Sequence, residues 1–110
     1  MITHEFVLCS KVPAEICFSG YEKKDMIIIS DDFISANQIH FSKIKMYCQY
    51  IGNEIDGLDY HGITIITSEM AIRLRKELTD YCNHSNDLNM LIAILDEAIA
   101  IQGYVIHFGV

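Results

Sequence analysis

Five histidines, four cysteines and fifteen carboxylates are the side chains of this 110-residue chain that could move a proton or hold a metal. Nucleophilic catalysis needs a nucleophile held beside a base, and no GxSxG or comparable signature is present. His4, His40, His61, His84 and His107 stand apart in sequence, so any pairing among them must come from tertiary contact. His107 lies in an apolar strand and reads as a core or edge histidine, and His61 beside Gly62 reads as a loop residue. Cys82-Asn83-His84 sets sulfur and imidazole close together, but zinc needs two further ligands in a tetrahedral array and no second paired motif supplies them. Gly52, Gly57 and Gly62 are separated by acidic residues and form no phosphate cradle. Asp31-Asp32 and Asp96-Glu97 could serve acid-base chemistry or calcium, yet helix capping and a wet helix face account for them more simply. The expectation is a non-enzymatic protein with no metal and no cofactor. The alternative is a small enzyme or ligand-binding domain using His61, His84 or His107 with a neighbouring carboxylate.

Charge gives the stronger signal. The formal net charge is -7, and no lysine or arginine follows Lys76, while Glu77, Asp80, Asp87, Asp96 and Glu97 do. Such a field repels phosphate and attracts cationic partners. Lys43 and Lys45 beside Tyr47 and Tyr50 are too few to grip nucleic acid, which needs concentrated positive charge. The segment Asn53 to His61 interleaves Glu54, Asp56 and Asp59 with Ile55, Leu58 and Tyr60, and no lysine or arginine lies between Lys45 and Arg73. Carboxylates around an aromatic anchor suit arginine and lysine of a protein partner. Glu54, Asp56, Asp59 and Tyr60 are therefore the candidate partner-binding residues, with Asp80 and Asp87 a second choice near a turn between helices. The alternative for this loop is a solvated surface whose apolar residues tuck into the core.

The elements that must position these groups are clearest in the C-terminal half. Ile63 to Ile66 is a short β-branched run bounded by Gly62 and Thr67-Ser68, which predicts a buried strand. A helix follows, capped by Thr67 or Ser68, with Ala71, Leu74, Leu78 and Tyr81 or Cys82 on one stripe and the pairs Glu69/Arg73, Arg73/Glu77 and Lys76/Asp80 on the other. Asn83 to Asn86 breaks the pattern, and a second helix starts near Asp87, apolar around so much of its cylinder that it should be sandwiched. Gln102-Gly103 stops it, glycine taking the left-handed C-cap conformation, and Tyr104 to Val110 forms a central strand. A strand, two helices and a strand bring the chain back antiparallel. Upstream, Glu5 to Cys9, Ile16 to Ser19 and Met26 to Ser30 predict a meander of short strands, and residues 31 to 51 read mostly as helix on the spacing of Phe41, Ile44, Cys48 and Ile51, with a competing alternation at Ile44, Met46, Cys48 and Tyr50. The fold class is α+β: a mainly antiparallel sheet with an N-terminal strand meander and a C-terminal strand-helix-helix-strand unit.

One hundred and ten residues with 51% hydrophobic content suit one domain spanning 1 to 110. No apolar run approaches the roughly 18 residues of a membrane span, and Met-Ile-Thr-His-Glu lacks a signal peptide's basic start, so a cytosolic protein is expected. Cys9, Cys17, Cys48 and Cys82 are then reduced thiols, though a Cys9 to Cys17 bridge is open if their strands pair. The apolar last helix and strand leave a homo-oligomer possible.

The run Asp59-Tyr60-His61-Gly62-Ile63-Thr64-Ile65-Ile66, leading through Thr67-Ser68 into a helix, and the stretch from Gly103 through Tyr104 and His107 to Val110, resemble small bacterial toxin-immunity proteins. The resemblance covers the C-terminal half and points to the immunity partners of contact-dependent growth inhibition and other polymorphic toxin systems. It implies a cytosolic inhibitor whose partner is a cognate toxin and transfers no specific binding residue. Toxins that cut nucleic acid are basic, so an acidic inhibitor could cover such an active site by mimicking phosphate.

Overall fold

The computed structural model describes residues 2–11 and 25–110. Among these the chain forms strands β1 (Thr3–Cys9) and β2 (Met26–Ser30), short helices α1 (Asp31–Ala36) and α2 (Gln38–Phe41), and strands β3 (Lys45–Cys48), β4 (Glu54–Asp56) and β5 (Ile63–Thr67). Helices α3 (Ser68–Tyr81) and α4 (Asn86–Ile101) and strand β6 (Tyr104–Phe108) complete it. The six strands make one antiparallel sheet in the order β2-β1-β6-β5-β3-β4, so the α+β expectation holds and β6 is central as its apolarity predicts. The predicted strand at Ile16–Ser19, and Cys17, lie outside the described residues. Cys9 is a free thiol, as are Cys48 and Cys82.

Alternation along the strands divides the core. Phe6, Ile29, Met46, Ile66 and Val105 face the helices, where Leu74, Leu78, Leu91 and Leu95 meet them. Val7, Ile106 and Phe108 pack on the other side with Met26 and Ile63. Burying each such side chain contributes about 1.5 to 3 kcal/mol. Helix α3 starts where Thr67 accepts from the Met70 N–H, and α4 starts where Ser85 accepts from the Leu88 N–H.

Four expectations are corrected. Residues 31 to 51 are not mostly helix: Asn37 bonds back to the Phe33 carbonyl through its side chain at 2.9 Å, α2 ends at Phe41, and the competing alternation is met at Met46 and Cys48 in β3. Ile44 and Cys48 satisfy both spacings, but Ile51, required by the helical one, is 51% exposed. Helix α4 is not sandwiched, because Met90 and Ile101 face outward. Its C-cap is Gln102, at φ 53°, rather than Gly103. Gly103 is needed for close approach, since a Cβ there would meet the Cys9 carbonyl oxygen at 2.5 Å. On α3, Lys76 and Asp80 do pair at 2.7 Å, while Glu77 turns to Lys43 and His40 instead of Arg73. No helix among the described residues is long and apolar enough to cross a membrane.

Candidate functional site

The pairing of β1 with β6 and of β6 with β5 sets Phe6 beside His107 and His107 beside Thr64. Since alternate residues share a face, His4, His107 and Thr64 form a polar row on the helix side at one end of the sheet, continuing the apolar rows of Phe6, Val105 and Ile66. His4, His107 and Thr64 have no exposed surface. His4 Nδ1 lies 2.8 Å from His107 Nε2, His4 Nε2 lies 2.9 Å from Asp31 Oδ1, and His107 Nδ1 lies 3.2 Å from Thr64 Oγ1. Thr64 Oγ1 also accepts from the Asp59 N–H at 2.8 Å, and the Tyr60 hydroxyl donates to Asp31 Oδ1. The two imidazoles stack with centroids 5.1 Å apart, with Phe6 against His107 and the Tyr60 ring edge-on to His4.

With both rings neutral, every proton in this row has a place. Thr64 O–H donates to His107 Nδ1, His107 Nε2–H to His4 Nδ1, and His4 Nε2–H to an ionised Asp31. No buried side-chain nitrogen or oxygen among the described residues lacks a partner. Burial, reinforced by His4, pushes the His107 pKa down to about 3, so this ring is neutral at physiological pH. The Tyr60 hydroxyl, then His4, hold the Asp31 carboxyl below the usual range, and Asp31 in turn raises the Tyr60 phenol.

Asp31 carries the row to the surface. Ser30 caps α1 by accepting from the Phe33 N–H at 3.2 Å and donates to Asp87, in the first turn of α4, at 2.7 Å. Asp31, Asp32 and Asp87 thus gather at one corner, beside a cleft lined by Ile2, Ser30, Asp31 and Asp32. None of the three is paired with a lysine or arginine among the described residues.

The six predicted interface residues separate into four places. Glu54 and Asp56 lie on the edge strand β4, not in a loop, and Asp56 pairs with Lys45 at 2.6 Å. Charge on a sheet edge discourages further strand pairing, which gives these residues a role in the free chain. Asp80 is tied to Lys76. Asp59 folds over its own turn: its Oδ2 accepts from the Cys48 thiol at 3.2 Å, and a side chain at Gly62 would collide with it. Burial, then this bond, raises the Cys48 pKa. Tyr60 turns inward to Asp31 and Asp87 binds Ser30, so of the six these two meet at the acidic corner from either side. The 59–62 turn is pinned there because Gly109 N–H donates to the Gly62 carbonyl at 2.8 Å and Val110 N–H to that of Tyr60 at 3.0 Å.

The other nominated histidines sit elsewhere. His61 bonds the Val110 carbonyl at 3.2 Å, and His84 lines a shallow groove between α3 and α4 with Arg75 and Thr79. The Cys82 thiol of the Cys-Asn-His run donates to Asn37 Oδ1 at 3.1 Å. No group of three or more His, Cys, Asp or Glu side chains among the described residues is placed to hold a metal ion. His4, with Asp31, is the pair that sequence reasoning missed. The available signal was the alternation His4-Phe6-Leu8, which puts His4 on a core face, but its neighbour His107 depends on a register set across 103 residues.

Comparison of the chain with protein families, with curated proteins and with solved structures gives no match in any of the three.

Proposed function

We propose that this chain is an immunity protein that binds and neutralises a cognate toxin domain, a nuclease, in the bacterial cytoplasm by covering its basic active-site surface. The role is non-enzymatic and uses no cofactor. The observation that carries the reading is the corner of Asp31, Asp32 and Asp87, flanked by Tyr60 and by Ile2 at 57% exposure, where the carboxylates have no lysine or arginine of their own among the described residues. Elsewhere Lys43, Lys45, Arg75 and Lys76 each neutralise a carboxylate, whereas these three stand together without such a partner among the described residues, where an arginine or lysine can dock. An aromatic and an exposed aliphatic beside those charges supply the apolar contact an interface needs. The test is binding to the toxin domain encoded beside this chain, with nuclease activity as readout. Inhibition at equimolar protein supports the reading, and full toxin activity under saturating protein ends it.

A second reading has one observation in its favour. His4, Asp31 and Tyr60 form a hydrogen-bonded set behind the cleft at Ile2 and Ser30, which is the arrangement a small-ligand site with a histidine-carboxylate pair requires. A panel of cationic small molecules screened by chemical-shift change at Ile2 and Asp32 separates it from the first.

A further inference from the structure

We propose that the buried row from Thr64 to Asp31 is a proton-operated switch, in which one proton taken up by His4 reverses the hydrogen bonds through His107 and is felt at the turn carrying Asp59 and Tyr60.

The geometry dictates the sequence of events. In the resting row His4 Nδ1 accepts from His107 Nε2–H across 2.8 Å. A proton added to that pair cannot leave hydrogens on both facing nitrogens, since two N–H groups cannot point at each other over that distance. When His4 becomes doubly protonated, its Nδ1–H donates to His107 Nε2, and the proton that was on His107 Nε2 moves to His107 Nδ1. The net count is one proton gained by the pair, and the positive charge rests on His4 against the Asp31 carboxylate, 2.9 Å away. His107 stays neutral and changes tautomer. Its new Nδ1–H faces Thr64 Oγ1, which already accepts from the Asp59 N–H, so the threonine oxygen receives two donors and its own hydroxyl proton must turn away. A second proton would charge both rings and has no arrangement within the row.

The groups that bear on this titration come from every neighbouring element. Asp31 and the Tyr60 hydroxyl face His4, Asp32 and Asp87 flank Asp31 at the corner, His61 lies edge-on to Tyr60, and Asp59 acts through its amide on Thr64. The carboxylate that bonds a ring of the row directly is Asp31's, on the His4 side, which places the proton on His4. Burial of His107 works in the same direction.

The test is the tautomeric state of each ring, read by NMR of isotopically labelled imidazoles in the wild-type chain as the pH is lowered. The expected result is that both rings carry Nε2–H at neutral pH. On acidification His4 then becomes doubly protonated while His107 converts to the neutral Nδ1–H form, with the Asp59 amide shifting at the same midpoint. Asp31→Asn removes the charge that holds the proton and should move that midpoint to lower pH. Three outcomes overturn the switch: His107 already Nδ1–H at neutral pH, His107 keeping Nε2–H while His4 charges, or the α3 amide signals collapsing before any tautomer change. Because the reference measurement uses no variant, a failure of Asp31→Asn to fold leaves the result decided by the wild-type chain.

Discussion

The β4 edge and the corner at the starts of α1 and α4 carry the same kind of side chain and differ in what answers it. At the edge Lys45 grips Asp56 directly, both in open solvent. At the corner the carboxylates are held by a hydroxyl from Ser30, a phenol from Tyr60 and a buried imidazole from His4, none of which cancels their charge when the imidazole is neutral. A run of acidic residues in sequence is therefore a poor guide to an acidic surface. The cluster at 54 to 59 is spread over an edge strand and a turn folded inward, whereas the corner draws on residues 31, 32 and 87, far apart along the chain.

Acid should separate the two regions most strongly. The unfolded chain protonates His107 at its ordinary value near 6.5 and the folded chain only at about 3, so between those limits the unfolded state holds more protons and stability falls as pH falls. The slope is about 1.4 kcal/mol per pH unit at its steepest, on the order of 4 kcal/mol across the window. Asp31, depressed by Tyr60 and His4, contributes stability that is present above its unfolded value and is lost as pH drops through its lower folded value. Urea midpoints between pH 7 and 3 check this, and a flat profile would remove the histidine row as a stabilising unit. His107→Gln should flatten the profile because the group that cannot charge in the fold is gone.

The next largest effect is expected for His4→Ala. It leaves the His107 N–H and one acceptor site of Asp31 without partners in a space that has no exposed surface around the ring, costing about 2 to 3 kcal/mol by thermal or urea unfolding. His4→Ala should also loosen α1, visible as faster amide exchange at Asp31, whose N–H donates to the Ile2 carbonyl at 3.0 Å. A loss no larger than that of an exposed alanine substitution would show the row to be incidental. Smallest of all should be Lys45→Ala at the edge, where an exposed ion pair adds little and the unfolding midpoint is expected to stay within error. A large loss there would make the two regions alike.

What could be read from the residues follows the range of the interactions. Helices α3 and α4, their caps at Thr67 and Ser85 and the strands either side are set by neighbours within a few positions, and they stand close to where the spacing of Leu74, Leu78, Leu88, Leu91 and Leu95 puts them. Residues 31 to 51 were ambiguous because Ile44 and Cys48 fit two periods, and the helical stretch breaks at Asn37, whose side chain bonds back to the Phe33 carbonyl. The site was the least legible part. Tyr60 and Asp87 were nominated for their chemistry alone, and what brings them to Asp31 and Ser30 is the return of β6 between β1 and β5. His4 carries no local mark of importance, since its role arises only when β6 delivers His107 to it.

Association kinetics with the proposed toxin partner at several salt concentrations, comparing Asp32→Lys/Asp87→Lys with Glu54→Lys/Asp56→Lys, put the central claim to its most direct trial. Both double variants change the net charge equally. The corner pair should slow association by tenfold or more and flatten its salt dependence, about the effect of removing a steering patch, while the edge pair should leave both nearly as in the wild type. Equal slowing by the two would mean that net charge alone attracts the partner, and a larger effect at the edge would place the interface on β4 instead.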